Sequence, residues 1–163
     1  MAISEKRYYS ANELAPFIEE ALKEGNNVRL TVSGNSMFPL FANRRDAVEL
    51  KHVENESQIK KYDIVFYRRA NGQYVLHRVI EKHNTHLIIA GDGEIEKEYA
   101  VEAKSVIAKV TAFTRKGKYA TINSTPYKIY YVLWTAVFPL RYIILNVALA
   151  VRRMFNGKQN KQR

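Results

Sequence analysis

Apolar residues recur at two different spacings in the first two thirds of the chain, and the change of spacing separates a helix from strands. In residues 11–24 they recur every three or four positions, which predicts an amphipathic helix with Asn12 as its N-cap and Gly25 just past its end. From Val28 onwards apolar and polar residues alternate, as is typical of half-buried strands. The chain is therefore expected to start with one helix and to continue as a β-rich domain.

Six segments carry the β pattern. Asn71 and Gly72 lie between two of them, and this dipeptide favours the tight turn of a β-hairpin because both residues accept a positive φ. We expect a mainly β fold, a coiled or barrel-like antiparallel sheet of short strands. The predicted strands are 28–32, 47–53, 63–69, 74–82, 86–92 and 105–115.

Residues 129–151 form a different pattern, a nearly continuous apolar run broken by Pro139, Arg141 and Asn146. A straight helix of that length, at about 1.5 Å per residue, spans a hydrocarbon core of roughly 30 Å. A charge at mid-membrane costs about 3 kcal/mol or more, however, and a weak polar stripe suits an interfacial helix or one kinked at Pro139. The sequence leaves a transmembrane span, an interfacial helix and a packed helix open.

These patterns predict four parts in the 163-residue chain. The N-terminus has neither the apolar segment nor the small-residue cleavage site of a secretory signal, so membrane contact is expected through the C-terminal part. The parts are the N-terminal helix of the main domain (1–27), the β-rich domain (28–116), an apolar membrane-associated helix (125–155) and a basic tail expected to be disordered (156–163).

Charge is segregated along the chain. Residues 1–102 hold 14 Lys and Arg and all 16 Asp and Glu, whereas residues 103–163 hold 12 Lys and Arg and no acid. Basic charge beside a long apolar run favours an anionic membrane surface, and no nucleic-acid-binding motif is present. The chain has no cysteine, which excludes disulfides, a thiol nucleophile and thiolate metal sites.

Three polar residues stand out in the β-rich part. Ser36 lies in "SGNSMFP", His77 lies between valines in a predicted strand, and Asp92 lies between two glycines. Taken singly, each has an ordinary interpretation as a loop serine, a core histidine bonded to the backbone, or a turn aspartate. Taken together, they are the residue types that serve as nucleophile, general base and acid in a catalytic triad. The four histidines do not have the spacing of a metal site.

The order of motifs over about residues 28–111 resembles the signal peptidase-like serine peptidases, a group that includes type I signal peptidases and self-cleaving repressor peptidases. The motifs are "SGNSMFP", "DIVFY", "LHRV" and "GDGE". The resemblance implies that Ser36 is the nucleophile, that His77 is the general base of the Ser–His branch, and that Asp92 is a proposed third member. It also implies substrate contacts around the serine, from Gly34, Asn35, Met37 and Pro39.

The function implied is that of a membrane-associated serine endopeptidase which removes signal or leader peptides from precursor proteins. It would need no cofactor or metal, would bind membrane lipid through residues 129–151, would not bind nucleic acid, and would lie at the cell membrane on a side the sequence does not specify. Three features depart from the resemblance: Arg45 and Asp46 replace a usual Gly-Asp, Glu94 replaces a common Asn, and the N-terminal anchor is missing.

Two other classes of function stay open at this point. One is a catalytically inert module of the same fold that binds peptides or membranes. The other is a basic protein that uses its C-terminal charge to bind a lipid surface or nucleic acid. The presence of a serine, a histidine and an acid in matching order favours the peptidase, because a binding module has no need of all three.

Overall fold

The structure is a computed structural model that describes residues 11–147. The predicted tail 156–163 and the end of the apolar run lie outside the described residues. The prediction of a mainly antiparallel β fold with a few helices is confirmed. The elements are α1 (Ala11–Lys23), β1 (Val28–Thr31), β2 (Ala47–His52), β3 (Ile64–Arg68), β4 (Tyr74–Lys82), β5 (His86–Ala90), β6 (Glu98–Glu102), β7 (Val106–Arg115), β8 (Lys118–Thr121) and α2 (Thr125–Ala136).

All eight strands belong to one sheet, in the order β1-β2-β7-β3-β4-β5-β6 with β8 beside β7. The ten-residue β7 is central: one of its edges pairs with β2, and the other is shared by β3 and β8. The short end strands β1 and β6 pair on one side only among the described residues. The sheet is therefore not a closed barrel, and of the two predicted forms, coiled or barrel-like, the barrel-like one is wrong.

All six predicted strands are present, with ends displaced by at most two residues. The two strands that the pattern missed, β6 and β8, have almost no buried positions. Strands that are exposed on both faces lack the apolar alternation on which a sequence-based prediction depends. This matters for function, because β6 supplies an acidic residue to the candidate site.

The sheet buries apolar side chains on both faces. Phe66 points to the face covered by α1, where it packs with Leu22, whereas its neighbours Val65 and Tyr67 point to the opposite face. This explains the continuous apolar run of β3, since a strand buried on both sides needs no polar face. In β4 the same alternation places consecutive residues in different environments.

The C-terminal apolar run is bent. α2 and the following limb, Phe138–Val147, meet at 66°, and Pro139 lies at the bend within a short 3-10 turn. Proline lacks the N–H that would continue the α-helical hydrogen bonding. The prediction of a helix kinked at Pro139 is therefore confirmed, and the alternative of one straight helix through the apolar run is wrong. Within residues 11–147, no single helix has both the length and the apolar character needed to cross a membrane.

Asp46 fixes the long loop between β1 and β2. Its fully buried carboxylate accepts hydrogen bonds from the backbone N–H groups of Ala42 (2.8 Å) and Lys116 (3.0 Å) and pairs with the guanidinium of Arg45 (2.8 Å). Burial raises the pKa of Asp46, but these bonds outweigh it and lower the pKa to about 2. The carboxylate thus ties the loop to the turn between β7 and β8.

We predict that Asp46→Asn lowers the free energy of unfolding by about 1–3 kcal/mol at pH 7, because an amide cannot accept all of these hydrogen bonds. The folded pKa is below the unfolded value of 3.8, so this stabilisation is present above about pH 4 and is lost as the pH falls towards 2. Urea unfolding of wild type and variant from pH 7 to pH 2 measures the difference. Glu20→Gln, at an exposed position, is the control. If the difference in free energy of unfolding between wild type and Asp46→Asn does not shrink on acidification, the ionised Asp46 carboxylate is not what stabilises the loop.

Candidate active site

The loop that carries Ser36 packs on the hydrophobic core with one side and lies at the protein surface with the other. Gly34 adopts a φ of +86°, which favours glycine, and its N–H donates to Asn43 Oδ1 at 3.0 Å. Met37 and Phe41 are fully buried in the core beneath the loop. Ser36 itself is half-buried, so the loop presents it at the surface of the domain.

One polar group of Ser36 is bonded within the protein, and two others have no partner among the described residues. Its carbonyl oxygen accepts a hydrogen bond from the Gly93 N–H at 2.7 Å. Neither its N–H nor its Oγ hydrogen-bonds to any residue in the described part of the chain. Within residues 11–147 the carbonyl of the serine is thus fixed, its N–H can serve as an oxyanion donor, and its hydroxyl is available to a base.

The residues predicted to contact substrate differ in accessibility. Gly34 and Asn35 are exposed and Pro39 is half-buried, with a cis peptide bond between Phe38 and Pro39. Met37 is 1% exposed and belongs to the hydrophobic core. The prediction that Met37 binds substrate is therefore wrong for its side chain, which instead anchors the serine loop.

His77 lies in β4 and is buried, with its two ring nitrogens in different surroundings. Its Nδ1 is 3.0 Å from Oε1 of Glu98, at the start of β6. The same carboxylate is bound by Arg69 (Nε to Oε2, 2.9 Å) and by the hydroxyl of Tyr67 (2.8 Å). Tyr67 in β3 and Arg69, which directly follows β3, therefore hold the Glu98 carboxylate against the imidazole.

These contacts determine which ring nitrogen of His77 carries the proton. Burial raises the pKa of Glu98, but the hydrogen bonds from His77, Arg69 and Tyr67 outweigh it and lower the pKa to about 2. Glu98 is thus ionised at neutral pH, and an ionised carboxylate can only accept hydrogen bonds. Nδ1 must therefore donate, and a neutral His77 presents a lone pair at Nε2.

Nε2 of His77 is buried and has no hydrogen-bond partner among the described residues. Oε1 of Glu94 lies 3.5 Å away without making a hydrogen bond. A buried polar atom without a partner costs about 1–3 kcal/mol, and a catalytic role is one explanation for such an atom. A general base in the free enzyme has a lone pair of this kind available to accept a proton.

Ser36 and His77 contact the same loop, residues 91–94, but no hydrogen bond joins them. A Cβ added at Gly91 would overlap the Ser36 carbonyl oxygen and would lie 3.1 Å from the Glu94 carboxyl carbon. The glycine therefore lets the serine loop and the carboxylate beside Nε2 approach the same point. Catalytic hydrogen bonds often form only when substrate is bound.

Asp92 has a different role from the one predicted. Its carboxylate forms two hydrogen bonds to Arg78, from Nε at 2.7 Å and from Nη2 at 2.6 Å, and accepts a third from Tyr130 at 3.0 Å. Asp92 and Arg78 are both fully buried. The expectation that Asp92 orients His77 is therefore wrong, because the carboxylate bonded to the histidine is that of Glu98.

Aromatic rings of α2 surround the ion pair. The rings of Tyr127, Tyr130 and Tyr131 have centroids 5.7–6.0 Å from the Arg78 guanidinium, and Tyr127 also accepts a hydrogen bond from it at 3.0 Å. Burial lowers the pKa of Arg78, but the charge and hydrogen bonds of Asp92 outweigh it and raise the pKa. The pair thus attaches α2 to the sheet beside the candidate site.

Three residues of this region were not identified from the sequence. Glu98 lies in the strand that the apolar pattern missed, and Arg78 was noted only as a neighbour of His77. Arg141 did give a signal, since it is the only charge in the apolar run 129–151 and such charges often mark functional positions. Its side chain is fully buried against the 91–94 loop.

His77, Glu94 and Glu98 form a cluster whose ligand atoms all lie within 4.8 Å of one another. Both oxygens of Glu98 are already bound by arginine and tyrosine donors. This leaves Nε2 of His77 and the carboxylate of Glu94, two ligands, whereas zinc sites use three or four protein ligands. The cluster is better suited to proton transfer than to holding a metal.

Comparison of the chain with protein-family models, with curated proteins and with solved structures gives no significant match.

We predict that Asp92→Asn lowers the free energy of unfolding by about 3–5 kcal/mol, because it leaves the buried Arg78 guanidinium without a counter-ion. Chemical unfolding at pH 7 measures the loss. Glu102→Gln is the matched control, since Glu102 pairs with Lys104 at 3.2 Å on the surface and such pairs contribute little. Equal losses in the two variants would show that the buried pair does not hold the fold together.

Proposed function

We propose that the protein is a serine endopeptidase of the signal peptidase-like kind, in which Ser36 is the nucleophile, His77 the general base and Glu98 the group that orients His77. The observation that carries the proposal is the buried Nε2 of His77, which has no hydrogen-bond partner within residues 11–147, while Nδ1 is bonded to an ionised carboxylate. This arrangement supplies a base with a defined tautomer at the loop that also supports a presented serine.

In the proposed reaction, Ser36 Oγ attacks the carbonyl carbon of the scissile peptide bond while its proton passes to Nε2 of His77. Glu98 stabilises the imidazolium that forms. The imidazolium then protonates the leaving amine as the C–N bond breaks, which gives an acyl-enzyme on Ser36. A water molecule, deprotonated by His77, hydrolyses the ester and restores the serine.

The negative charge of the tetrahedral intermediate needs a donor close to the nucleophile. The Ser36 N–H has no acceptor in the described part of the chain and can serve this purpose, and the Gly93 N–H holds the Ser36 carbonyl. Extended substrate would add as a strand to the outer edge of β1, which pairs only with β2 in the described structure and leads into the serine loop. The substrate class is a precursor protein or peptide with a cleavable leader.

The catalytically inert binding module is the second candidate, and it is favoured by the missing hydrogen bond between Ser36 and His77. It requires that the two residues never meet when a peptide is bound. Both candidates predict peptide binding, and only the peptidase predicts a reaction at Ser36.

We predict that the purified full chain cleaves members of a detergent-solubilised library of signal and leader peptides at discrete positions, read by mass spectrometry. Ser36→Ala and His77→Ala should give no products. Glu98→Gln should lower kcat by about 10²–10⁴-fold, because the amide reverses the hydrogen bond at Nδ1 and favours the wrong tautomer.

Glu102→Gln, on the same strand as Glu98, is the control for that series because its side chain is exposed and makes only a surface ion pair. Each variant is compared at a temperature where its circular dichroism matches wild type. Peptide binding without products from wild type, or identical products from wild type and Ser36→Ala, would favour the inert module.

We further propose that the two C-terminal limbs, α2 and Phe138–Val147, lie on an anionic lipid surface. The aromatic and basic side chains Tyr127, Trp134 and Arg141 face the domain, whereas the opposite side of both limbs is open. The charge excess of residues 103–163 favours lipid as the occupant of this side. The exposed apolar residues of the two limbs are Ile129, Val132, Leu133, Leu140, Tyr142, Ile143, Ile144 and Val147.

We predict that replacing Leu133 and Ile143 together by Ser weakens binding to vesicles of anionic phospholipid by about tenfold or more, since each burial in the interface contributes about 1 kcal/mol or more. Flotation with vesicles of graded anionic content measures the effect. Phe17→Ser, which removes an exposed aromatic ring from α1, is the control. Unchanged flotation, or a concentration-dependent dimer that the double variant abolishes, would mean that lipid does not cover this side.

A further inference from the structure

Arg141 is buried in an unusual way. Its side chain is fully buried, and its guanidinium packs over the rings of Phe138 (4.3 Å) and Trp134 (5.2 Å). No carboxylate of the described residues lies within ion-pair distance of it, and burial lowers its pKa. Its partners are instead main-chain carbonyl oxygens.

Two of those carbonyls, of Gly91 and Glu94, belong to the loop beneath the candidate nucleophile, and the third is that of Trp134 in α2. Nη1 of Arg141 donates to the carbonyl of Gly91 at 3.0 Å and to that of Glu94 at 3.5 Å. Between them, the carbonyl of Asp92 accepts a hydrogen bond from Nε1 of Trp134 at 2.9 Å. Trp134 and Arg141, both in the C-terminal segment 125–147, thus bind three of the four carbonyls in residues 91–94.

The same loop contacts both reacting groups of the proposed peptidase. The Gly93 N–H holds the Ser36 carbonyl at 2.7 Å, and the Glu94 carboxylate lies 3.5 Å from Nε2 of His77. A Cβ at Gly93 would come within 2.7 Å of the Asn35 carbonyl oxygen, so the loop and the serine segment are in close contact. A shift of the loop must therefore move Ser36 relative to His77.

Attachment of the helix alone does not account for Arg141. An apolar side chain would fill the same space between the two rings without the desolvation cost of a charge. What only a guanidinium provides is a planar set of donors that reaches two loop carbonyls and the carbonyl of Trp134 at once. The loop, rather than the helix, explains the residue type.

We propose that Arg141 is a positioning residue of the active site. It holds residues 91–94 in place, and this loop in turn fixes the position of Ser36 relative to His77. The proposal rests on the proposed peptidase function. It makes the C-terminal segment part of the active site as well as a membrane contact.

The test compares full-length wild type, Arg141→Met and Arg141→Lys, with Tyr127→Phe as the matched control. Tyr127→Phe removes a buried hydrogen bond to Arg78 in the same interface but leaves the loop carbonyls untouched. Two quantities are measured well below the unfolding temperature: hydrogen exchange of the Gly93 amide by NMR, and the second-order rate at which a fluorophosphonate labels Ser36.

We expect Arg141→Met to speed exchange at Gly93 about five- to tenfold and to slow labelling of Ser36 by about ten- to a hundredfold. Arg141→Lys should give intermediate values, because an ammonium group cannot reach all of the carbonyls in the same geometry. Tyr127→Phe should match wild type in labelling. If Arg141→Met does not fold, Arg141→Lys decides the outcome.

Labelling rates of the Arg141 variants equal to that of Tyr127→Phe would overturn the proposal, whether or not exchange at Gly93 changes. Unchanged exchange at Gly93 would overturn it as well, since the loop would then not depend on Arg141. A wild-type protein that is not labelled at Ser36 would instead be a failure of the peptidase function, and the two failures are distinguished by the wild-type sample alone.

Discussion

The buried ion pair of Arg78 and Asp92 is the interaction on which the rest of this structure depends. Two opposite charges without solvent must be close, well oriented and surrounded by further donors and acceptors, or the fold does not tolerate them. Here β4 supplies the guanidinium, the loop after β5 supplies the carboxylate, and tyrosines of α2 complete the surroundings. The pair therefore fixes the sheet, the loop beneath Ser36 and the C-terminal segment relative to one another.

The alternation of β4 separates this structural pair from the candidate chemistry. Arg78 faces α2 and engages Asp92, whereas His77, one residue earlier, faces the opposite side of the sheet and engages Glu98. Because consecutive residues of a strand point to opposite faces, Arg78 binds Asp92 on one face of the sheet and His77 binds Glu98 on the other. The loop 91–94 passes between the two sides, which is why contacts from the C-terminal segment can affect the position of Ser36.

The sequence was informative where a residue's role follows from its own neighbours. Strands with a buried face are predicted by local pattern and are present. Local pattern also selects Ser36 and His77 as candidates, whose catalytic roles stay predictions. The partner of His77 does not follow from the sequence, because several acids, among them Asp92 and Glu98, follow β5 and only the path of the chain decides which one reaches Nδ1. In the sequence, Arg141 is only a cost to a membrane span, since nothing local shows that loop carbonyls from about fifty residues earlier accept its hydrogen bonds.

The site of the proton on the His77 ring decides whether this histidine can be a base for Ser36, and two-bond ¹H–¹⁵N correlation in uniformly labelled protein reports it at a pH where the ring is neutral. We expect a proton on Nδ1, donated to Glu98, and a bare Nε2 available to accept the proton of Ser36. A proton on Nε2, directed towards Glu94, would mean that His77 cannot act as the base for the serine.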